Sequence, residues 1–313
     1  MTTTLTAKRP EDLLAAVPLV LGFEPEDSLV MLTFGADHQF HARLDLPRER
    51  DHLEPCVDAL LRPAIRHRVQ AVVFVVYADG GPLVRRLAQQ LSRRFRRSGI
   101  RVIDCLRAHE GRWFALPPRA DVPAHGVPYD VSGHEFRAAA VYDGRVTLGS
   151  RAELVAGVAG DPTAVAETER ALVAAEPLNL AGLIGLVSRS LPHGRVADTD
   201  DLASLLLALA DDKLAHQAWS GMRRDEAAAH VTLWTDVVRR APDGLVADPA
   251  AILALAAWLA GDGALAWCAL DRCLPREPGH PLGTLMSTIL TEAVPPATWE
   301  ERNDPEEWCE EGA

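Results

Sequence analysis

The chain has 313 residues, of which 48% are apolar and 24% are charged, and its formal net charge at pH 7 is −12. This composition is that of a globular protein with a sizeable core, and it excludes an intrinsically disordered chain. The apolar run at residues 13–23 is eleven positions long and contains Pro18, so it is too short to cross a bilayer. The first ten residues lack the apolar core of a signal peptide. We therefore expect no membrane association.

The cysteine pattern indicates a reducing compartment. The five cysteines are odd in number, and no two of them form a C-x-x-C pair. This spacing argues against a disulfide framework. We therefore expect free thiols and a cytoplasmic protein.

The first half of the chain alternates between strand-like and helix-like segments. Pro10, followed by two acids, predicts the start of a helix that ends at Gly22. Further helices are predicted at residues 53–65 and 83–97, and strands at residues 28–34, 39–46, 69–78, 100–106 and 113–116. The strand at residues 100–106 continues through a turn at Glu110 and Gly111 into residues 113–116. With these two segments counted as one, the order from residue 28 onward is β-β-α-β-α-β. This order predicts an α/β sandwich domain with a mixed sheet over residues 1–155.

The second half of the chain shows helical patterns alone. Between residues 161 and 291 these patterns are interrupted by four prolines, namely Pro177, Pro192, Pro242 and Pro275. We expect an all-α helical domain over residues 156–296, with no strand between Ala164 and Leu290. Residues 297–313 hold seven acids and one arginine, which predicts an acidic and flexible tail.

One helical hairpin in this half resembles part of a tetratricopeptide repeat (TPR). The residues at the spacing of the second half of that repeat are Gly261, Ala266, Leu270, Cys273 and Pro278. The sequence contains no second clear copy. We therefore predict a single TPR-like hairpin and not a repeat array.

The strongest charge asymmetry lies between residues 62 and 101. This segment holds ten arginines, no lysine and one acid, Asp79, which gives a local net charge of +9 in an acidic chain. Six of these arginines crowd the predicted helix at residues 83–97, namely Arg85, Arg86, Arg93, Arg94, Arg96 and Arg97. Guanidinium groups make bidentate contacts with phosphates and carboxylates. The pattern therefore predicts an anion-binding surface.

The competing interpretation of these arginines is a solvated helix face. The chain has two lysines and thirty arginines, so arginine also takes the solvating role that lysine has in other proteins. The partner that the charge favours is a protein or a polyanion, and nucleic acid stays open. Against single-stranded nucleic acid, the helix offers only Phe95 as an aromatic residue, whereas such binders stack bases on several.

A second candidate site lies where the predicted strands end. Asp45 closes the second strand, Tyr77 and Asp79 follow the third, and Arg107 and His109 follow the fourth. If these strands are parallel neighbours, their side chains converge at one edge, the usual place for a ligand. Such a set could hold Mg²⁺ and a phosphoester. The competing interpretation, which we favour, is that both aspartates are ordinary turn and cap residues.

Other catalytic and cofactor motifs are missing from the sequence. The segment DGGP at residues 79–82 precedes a predicted helix, but it lacks the pattern of a Walker loop or a dinucleotide fingerprint. The eleven histidines show no H-x-x-x-H or H-E-x-x-H spacing, and no serine lies in a G-x-S-x-G turn. We expect no metal and no cofactor.

Several stretches resemble one known family. They are PEDLLAAVPLVLGFEPEDSLVML at residues 10–32, RLDLP at 43–47, VVFVVYAD at 72–79, GRW at 111–113, SRAELVAG at 150–157 and LAAWLAGDGALAWCALDRCLPREPGHPL at 255–282. Over nearly its whole length the chain resembles the actinobacterial DUF4192 family, a domain of unknown function. The resemblance implies an actinobacterial, cytoplasmic protein, and it implies no activity. Relatives carry cysteines shortly after the tryptophan of the GRW stretch, but residues 114–129 have none, so no metal or redox role is implied.

The sequence favours a cytoplasmic binding or adaptor protein that recognises a protein or an anionic partner. One alternative is a nucleic-acid-associated protein that uses the arginine-rich helix. The other is a magnesium-dependent enzyme that processes phosphoesters at the strand-end site. Whether the chain is an enzyme therefore stays open, with a non-enzymatic role favoured.

Overall fold

The structure is a computed structural model that describes residues 7–142, apart from positions 37 and 39, and residues 147–301. The chain divides into two compact units, Met1–Arg151 and Ala152–Ala313. Each unit has its own hydrophobic core.

The described part of the first unit contains six strands and four α-helices. The strands are β1 (Ser28–Phe34), β2 (His41–Asp45), β3 (Ala71–Tyr77), β4 (Arg101–His109), β5 (Arg112–Ala115) and β6 (Val127–Pro128). The helices are α1 (Pro10–Leu21), α2 (Leu53–Arg66), α3 (Pro82–Arg97) and α4 (Glu135–Tyr142), with a 3-10 turn at Arg50–His52.

The six strands form one mixed sheet in the order β2-β1-β3-β4-β5-β6. The neighbours β3 and β4 are parallel, and α3 is the crossover between them. The other four neighbouring pairs are antiparallel. The predicted mixed sheet with packed helices is therefore confirmed.

The central strand β3 explains the layers of this unit. Six of its seven residues are buried, as a β-branched run covered on both faces should be. Val72, Phe74 and Val76 join the core that includes residues of α2 and α3, whereas Val73 and Val75 join a core with residues of α1. Each such side chain stabilises the fold by about 1.5–3 kcal/mol. The first unit is thus a three-layer α/β/α sandwich.

Two local signals set the ends of elements as predicted. Helix α1 begins at Pro10 and stops at Gly22, whose φ of 78° gives the left-handed C-cap that glycine allows. Between β4 and β5, Glu110 and Gly111 have φ values of 47° and 67°. Positive φ at both central residues is typical of a type I′ hairpin turn, and this turn fixes the register between the two strands.

The second unit is helical. Its helices are α5 (Arg151–Gly157), α6 (Pro162–Leu172), α7 (Leu180–Ser190), α8 (Thr199–Leu209), α9 (Asp212–Trp219), α10 (Ala227–Arg240), α11 (Ala247–Leu259), α12 (Gly263–Cys273), α13 (Pro281–Thr291) and α14 (Thr298–Glu301), with a 3-10 turn at Leu191–His193. The structure describes every residue from Ala164 to Leu290, and none of them lies in a strand, as predicted. Helix α11 is buried all round from Pro249 to its end, which places it at the centre of this unit.

Two segments differ from the secondary structure predicted for them. The proline-rich stretch at residues 117–131, whose composition predicts a loop, contains the two-residue strand β6, which pairs with β5. Residues 298–301, inside the predicted tail, form α14, and the Trp299 indole donates a hydrogen bond to the Met222 carbonyl at 3.0 Å. The rest of the predicted acidic tail, residues 302–313, lies outside the described residues.

Candidate anion-binding site

The arginine-rich helix α3 is amphipathic, and its apolar side faces the sheet. Leu87, Leu91 and Phe95 are at most 1% exposed, and they recur at helical spacing. The Phe95 ring packs edge-on against Phe74 of β3, with 5.0 Å between the ring centroids. Because this apolar side is fixed in the core, the remaining positions of α3 must face away from it.

Five guanidinium groups occupy those exposed positions. They belong to Arg85, Arg86, Arg93, Arg96 and Arg97, which together are called the arginine face below. Within the described part of the chain, none of the five side chains forms an ion pair or a hydrogen bond. At 1.5 Å per residue, the face extends about 18 Å along the helix. It is therefore an extended cationic surface without internal neutralisation.

Arg94 differs from the other five predicted arginines. Its Nη2 atom lies 2.6 Å from Oδ1 of Asp58 on α2, and both side chains are about one-third exposed. This ion pair joins the two helices on the same side of the sheet. Arg94 therefore has a partner within the fold already.

The strand-end residues come to one edge of the sheet but not to one point. Strands β2, β3 and β4 run in the same direction, so their carboxyl ends share that edge. Ser28 of β1 stands between Asp45 and Tyr77 in the register, which puts these two about 10 Å apart across the sheet. The Asp45 carboxylate is exposed and pairs with Arg43 at 2.5 Å. Asp45 thus lies apart from the other four.

Tyr77 and His109 line a cleft of about 330 Å³ together with Tyr129 and Glu110. Nε2 of His109 lies 3.8 Å from a carboxylate oxygen of Asp79 and 3.9 Å from one of Glu110. Burial raises the pKa of Tyr77 well above its usual value, and the neighbouring Tyr129 and Glu24 add to the effect. Tyr77 therefore stays a neutral phenol in this cleft.

Arg107 lies in a different cleft, called the Arg107 cleft below. This cleft has a volume of about 220 Å³, and its lining includes Gly80, Arg85, Phe114, Leu116 and Arg119. Nη1 of Arg107 donates a hydrogen bond to the Ala78 carbonyl at 3.3 Å, and its Cζ atom lies 3.6 Å from the centroid of the Phe114 ring. Burial lowers the pKa of Arg107, while the charge of Asp79 acts in the opposite direction. The guanidinium still remains charged, since arginine does not deprotonate in proteins.

The arginine face and the Arg107 cleft meet at one residue. Arg85 belongs to the exposed face of α3, and it also lines the cleft. The cationic surface therefore continues from the outside of the helix to the carboxyl edge of β3 and β4, where ligands of such sheets bind.

The sequence interpretation missed two residues of this cleft. Phe114 is the cross-strand partner of Arg107, and the predicted turn at Glu110 and Gly111, taken as a two-residue hairpin loop, implies that pairing. Arg119 lies in the proline-rich stretch after β5, and its guanidinium pairs with Asp104 at 3.0 Å. No periodic pattern in the sequence points to Arg119.

The described residues offer little to a metal ion. Among residues 7–142, without 37 and 39, and 147–301, no group of three or more His, Cys, Asp or Glu side chains is placed to hold one. The magnesium alternative thus gains no geometric support from that part of the chain. In the same residues, no helix is long and apolar enough to cross a membrane.

The fold and the site define a two-unit protein, with an α/β/α sandwich that carries the cationic surface and a helical unit. The family model for a domain of unknown function, DUF4192, matches residues 10–297. The chain therefore belongs to the DUF4192 family. No curated protein and no solved structure matches the chain.

Proposed function

We propose that this protein is a binding or adaptor protein that uses the arginine face of α3 to recognise an acidic partner protein. The observation that carries the proposal is the set of five exposed guanidinium groups without an ion pair in the described residues. Charged groups that lack internal partners keep their full attraction for an external anion. Guanidinium forks match carboxylates in bidentate geometry.

The exposure of aromatic side chains decides whether the arginine face suits an acidic protein or a nucleic acid better. Phe95, the aromatic residue of α3, is fully buried. Sequence-tolerant binding of single strands depends on exposed aromatic rings that stack on bases. An acidic protein segment needs only carboxylates along the face, so it is the partner that this surface favours.

The test compares two polyanions on the full chain. Binding of fluorescently labelled polyglutamate and of a short DNA duplex is measured by anisotropy at low ionic strength. We expect polyglutamate to bind, and we expect the triple variant R93Q/R96Q/R97Q to lose most of that binding. The matched control is R48Q/R50Q/R195Q, which removes the same charge from three exposed arginines outside α3.

Each outcome of this comparison decides between the functions. Equal losses in both triple variants would mean that net charge alone attracts the polyanion, and the arginine face would be rejected. Tighter binding of the duplex than of polyglutamate would favour the nucleic-acid alternative. The absence of binding to either polyanion would leave the solvated helix as the correct interpretation.

Several finer features belong to the same proposal. A cytoplasmic location is supported by the described cysteines Cys56, Cys105, Cys268 and Cys273, none of which forms a disulfide bond. Burial raises the pKa of Cys105 to about 12, with Asp104 adding to the effect, so this thiol is unreactive.

In the helical unit, a TPR-like hairpin would consist of α11 and α12, where the predicted small residue Ala266 is fully buried.

A further inference from the structure

We propose that the Arg107 cleft is a binding site for a small organic acid, with one carboxylate or phosphate group and a compact apolar body. This inference goes beyond the proposed function, because the cleft accepts a single small molecule and the arginine face accepts an extended partner. Its lining is contributed by the start of α3, by β4, by β5 and by the proline-rich stretch after β5.

The polar end of the cleft is formed by the guanidinium of Arg107, most of whose N–H donors have no partner within the described residues. Arginine has five N–H donors, and the Arg107 side chain makes one hydrogen bond within the described residues, at 3.3 Å to a backbone carbonyl. No carboxylate of those residues lies within 4.0 Å of it. No acidic residue lines the cleft, whereas two further arginines do, namely Arg85 and Arg119, the second of which is paired with Asp104 at 3.0 Å. An anionic group would therefore supply the partner that Arg107 lacks.

The apolar end of the cleft sets the size and character of the ligand. Val84, Phe114, Leu116 and Val122 line it together with prolines. The volume of about 220 Å³ is below the roughly 300 Å³ at which sites for drug-sized ligands begin. A molecule with one small ring or a short hydrocarbon chain fits both the volume and the lining.

The position of the guanidinium is fixed before a ligand arrives. The Phe114 ring supports its face at 3.6 Å, which holds the charge without neutralising it. A Cβ atom at Gly80 would lie 3.4 Å from Cζ of Arg107. Any longer side chain at position 80 would enter the space beside the guanidinium, so the glycine keeps that space open.

The experiment measures binding of three probes to the full chain by isothermal titration calorimetry. The probes are benzoate, phenyl phosphate and, as the neutral control of the same size, benzamide. We expect benzoate or phenyl phosphate to bind and benzamide to bind at least about tenfold more weakly, as the loss of a charge-assisted hydrogen bond implies. Binding of one acid alone assigns the headgroup as carboxylate or phosphate.

Two variants act on the cleft by different means. Arg107→Met removes the charge and keeps a flexible apolar chain against Phe114, and Gly80→Val fills the space without changing any charge. Each should weaken binding of the acid by about tenfold or more. If either variant fails to fold by circular dichroism, the other decides the outcome.

The control variant separates this site from the arginine face. R93Q/R96Q/R97Q should bind benzoate or phenyl phosphate as the wild type does, and Arg107→Met should still bind polyglutamate. The proposal is overturned if neither acid binds, if benzamide binds as tightly as the acids, or if both cleft variants bind like the wild type.

Discussion

Arg107 and Phe114 are cross-strand partners in β4 and β5, and the guanidinium Cζ of Arg107 lies 3.6 Å from the centroid of the Phe114 ring. The type I′ turn at Glu110 and Gly111 fixes this pairing. Arg119 in the same cleft is neutralised by Asp104 at 3.0 Å, whereas an aromatic ring leaves the charge of Arg107 in place. The hairpin thus presents one positioned cation at the carboxyl edge of the sheet, with no carboxylate of the described residues within 4.0 Å of it.

The first prediction concerns the space that Gly126 leaves for the Phe114 ring. Gly126 has a φ of 75°, and a Cβ atom there would lie 2.7 Å from the ring. Gly126→Ala should lower the free energy of unfolding by about 1–3 kcal/mol, because it combines backbone strain with displacement of the ring. The control is Gly133→Ala, where a Cβ atom meets nothing within 4 Å and the change should stay within about 0.5 kcal/mol. Chemical denaturation measures both, and equal effects would contradict the packing of Phe114 described above.

The second prediction concerns a half-buried histidine, His41, in the β1–β2 pair. Burial lowers the pKa of His41 to about 4, and its Nδ1 atom accepts a hydrogen bond from the Thr33 backbone at 3.3 Å. Between pH 6.5 and pH 4 the unfolded chain binds a proton at His41 that the folded chain does not bind. The unfolding free energy therefore falls as the pH drops towards 4. The full effect of this one group is about 3 kcal/mol.

The measurement for His41 compares two variants by denaturant titration between pH 7 and pH 4, the range set by the pKa values of His41 in the two states. His41→Gln keeps an acceptor for the Thr33 amide, and it should flatten the pH dependence relative to the wild type. His125→Gln, at an exposed position, should leave the pH dependence as it is. A wild-type curve that stays flat over this range would show that His41 is not protected from protonation.

The third prediction compares two tryptophans of the helical unit. Trp234 is fully buried and its indole lies 3.4 Å from Nδ1 of His230, whereas Trp267 is 37% exposed. Trp234→Ala should lower the unfolding free energy by about 3–5 kcal/mol, the cost of a large cavity. Trp267→Ala should lower it by about 1 kcal/mol or less. Similar losses in the two variants would contradict a core centred on α10 and α11.

The elements that the sequence predicted best are those with a strong local signal. The strand at residues 28–34 and the helix that ends before Gly22 match the structure at both ends, since β-branched runs and caps act locally. Strand β6 has two residues and exists only because β5 lies beside it. A tertiary contact of this kind leaves no periodic pattern in a sequence.

One part of the candidate site could likewise be predicted from local sequence patterns, and the other part could not. The arginine face follows from helical spacing alone, because the apolar side of α3 determines which positions are exposed. The relative positions of the strand-end residues depend on the order of the strands in the sheet, and no local sequence pattern reveals that order. With β1 between β2 and β3, Asp45 is separated from Tyr77, and Arg107 and His109 line different clefts.

The fourth prediction uses two adjacent arginines of α3. Arg93 is exposed and has no ion pair within the described residues, whereas Arg94 pairs with Asp58 at 2.6 Å. Arg93→Gln should weaken polyglutamate binding more than Arg94→Gln does, because an arginine that already has a partner contributes less to a ligand. Arg94→Gln should instead lower the unfolding free energy by up to about 1 kcal/mol. Anisotropy and denaturant titration give the two readouts, and a larger binding loss in Arg94→Gln would contradict this order.

The most direct test of the arginine face is the salt dependence of polyglutamate binding, measured for three proteins. Screening weakens contacts between exposed charges as salt rises, so the wild type should show a steep fall in affinity. R93Q/R96Q/R97Q should show weaker binding and a clearly smaller dependence on salt, while R48Q/R50Q/R195Q should keep the wild-type slope. The same slope in all three proteins would contradict the assignment of anion binding to α3.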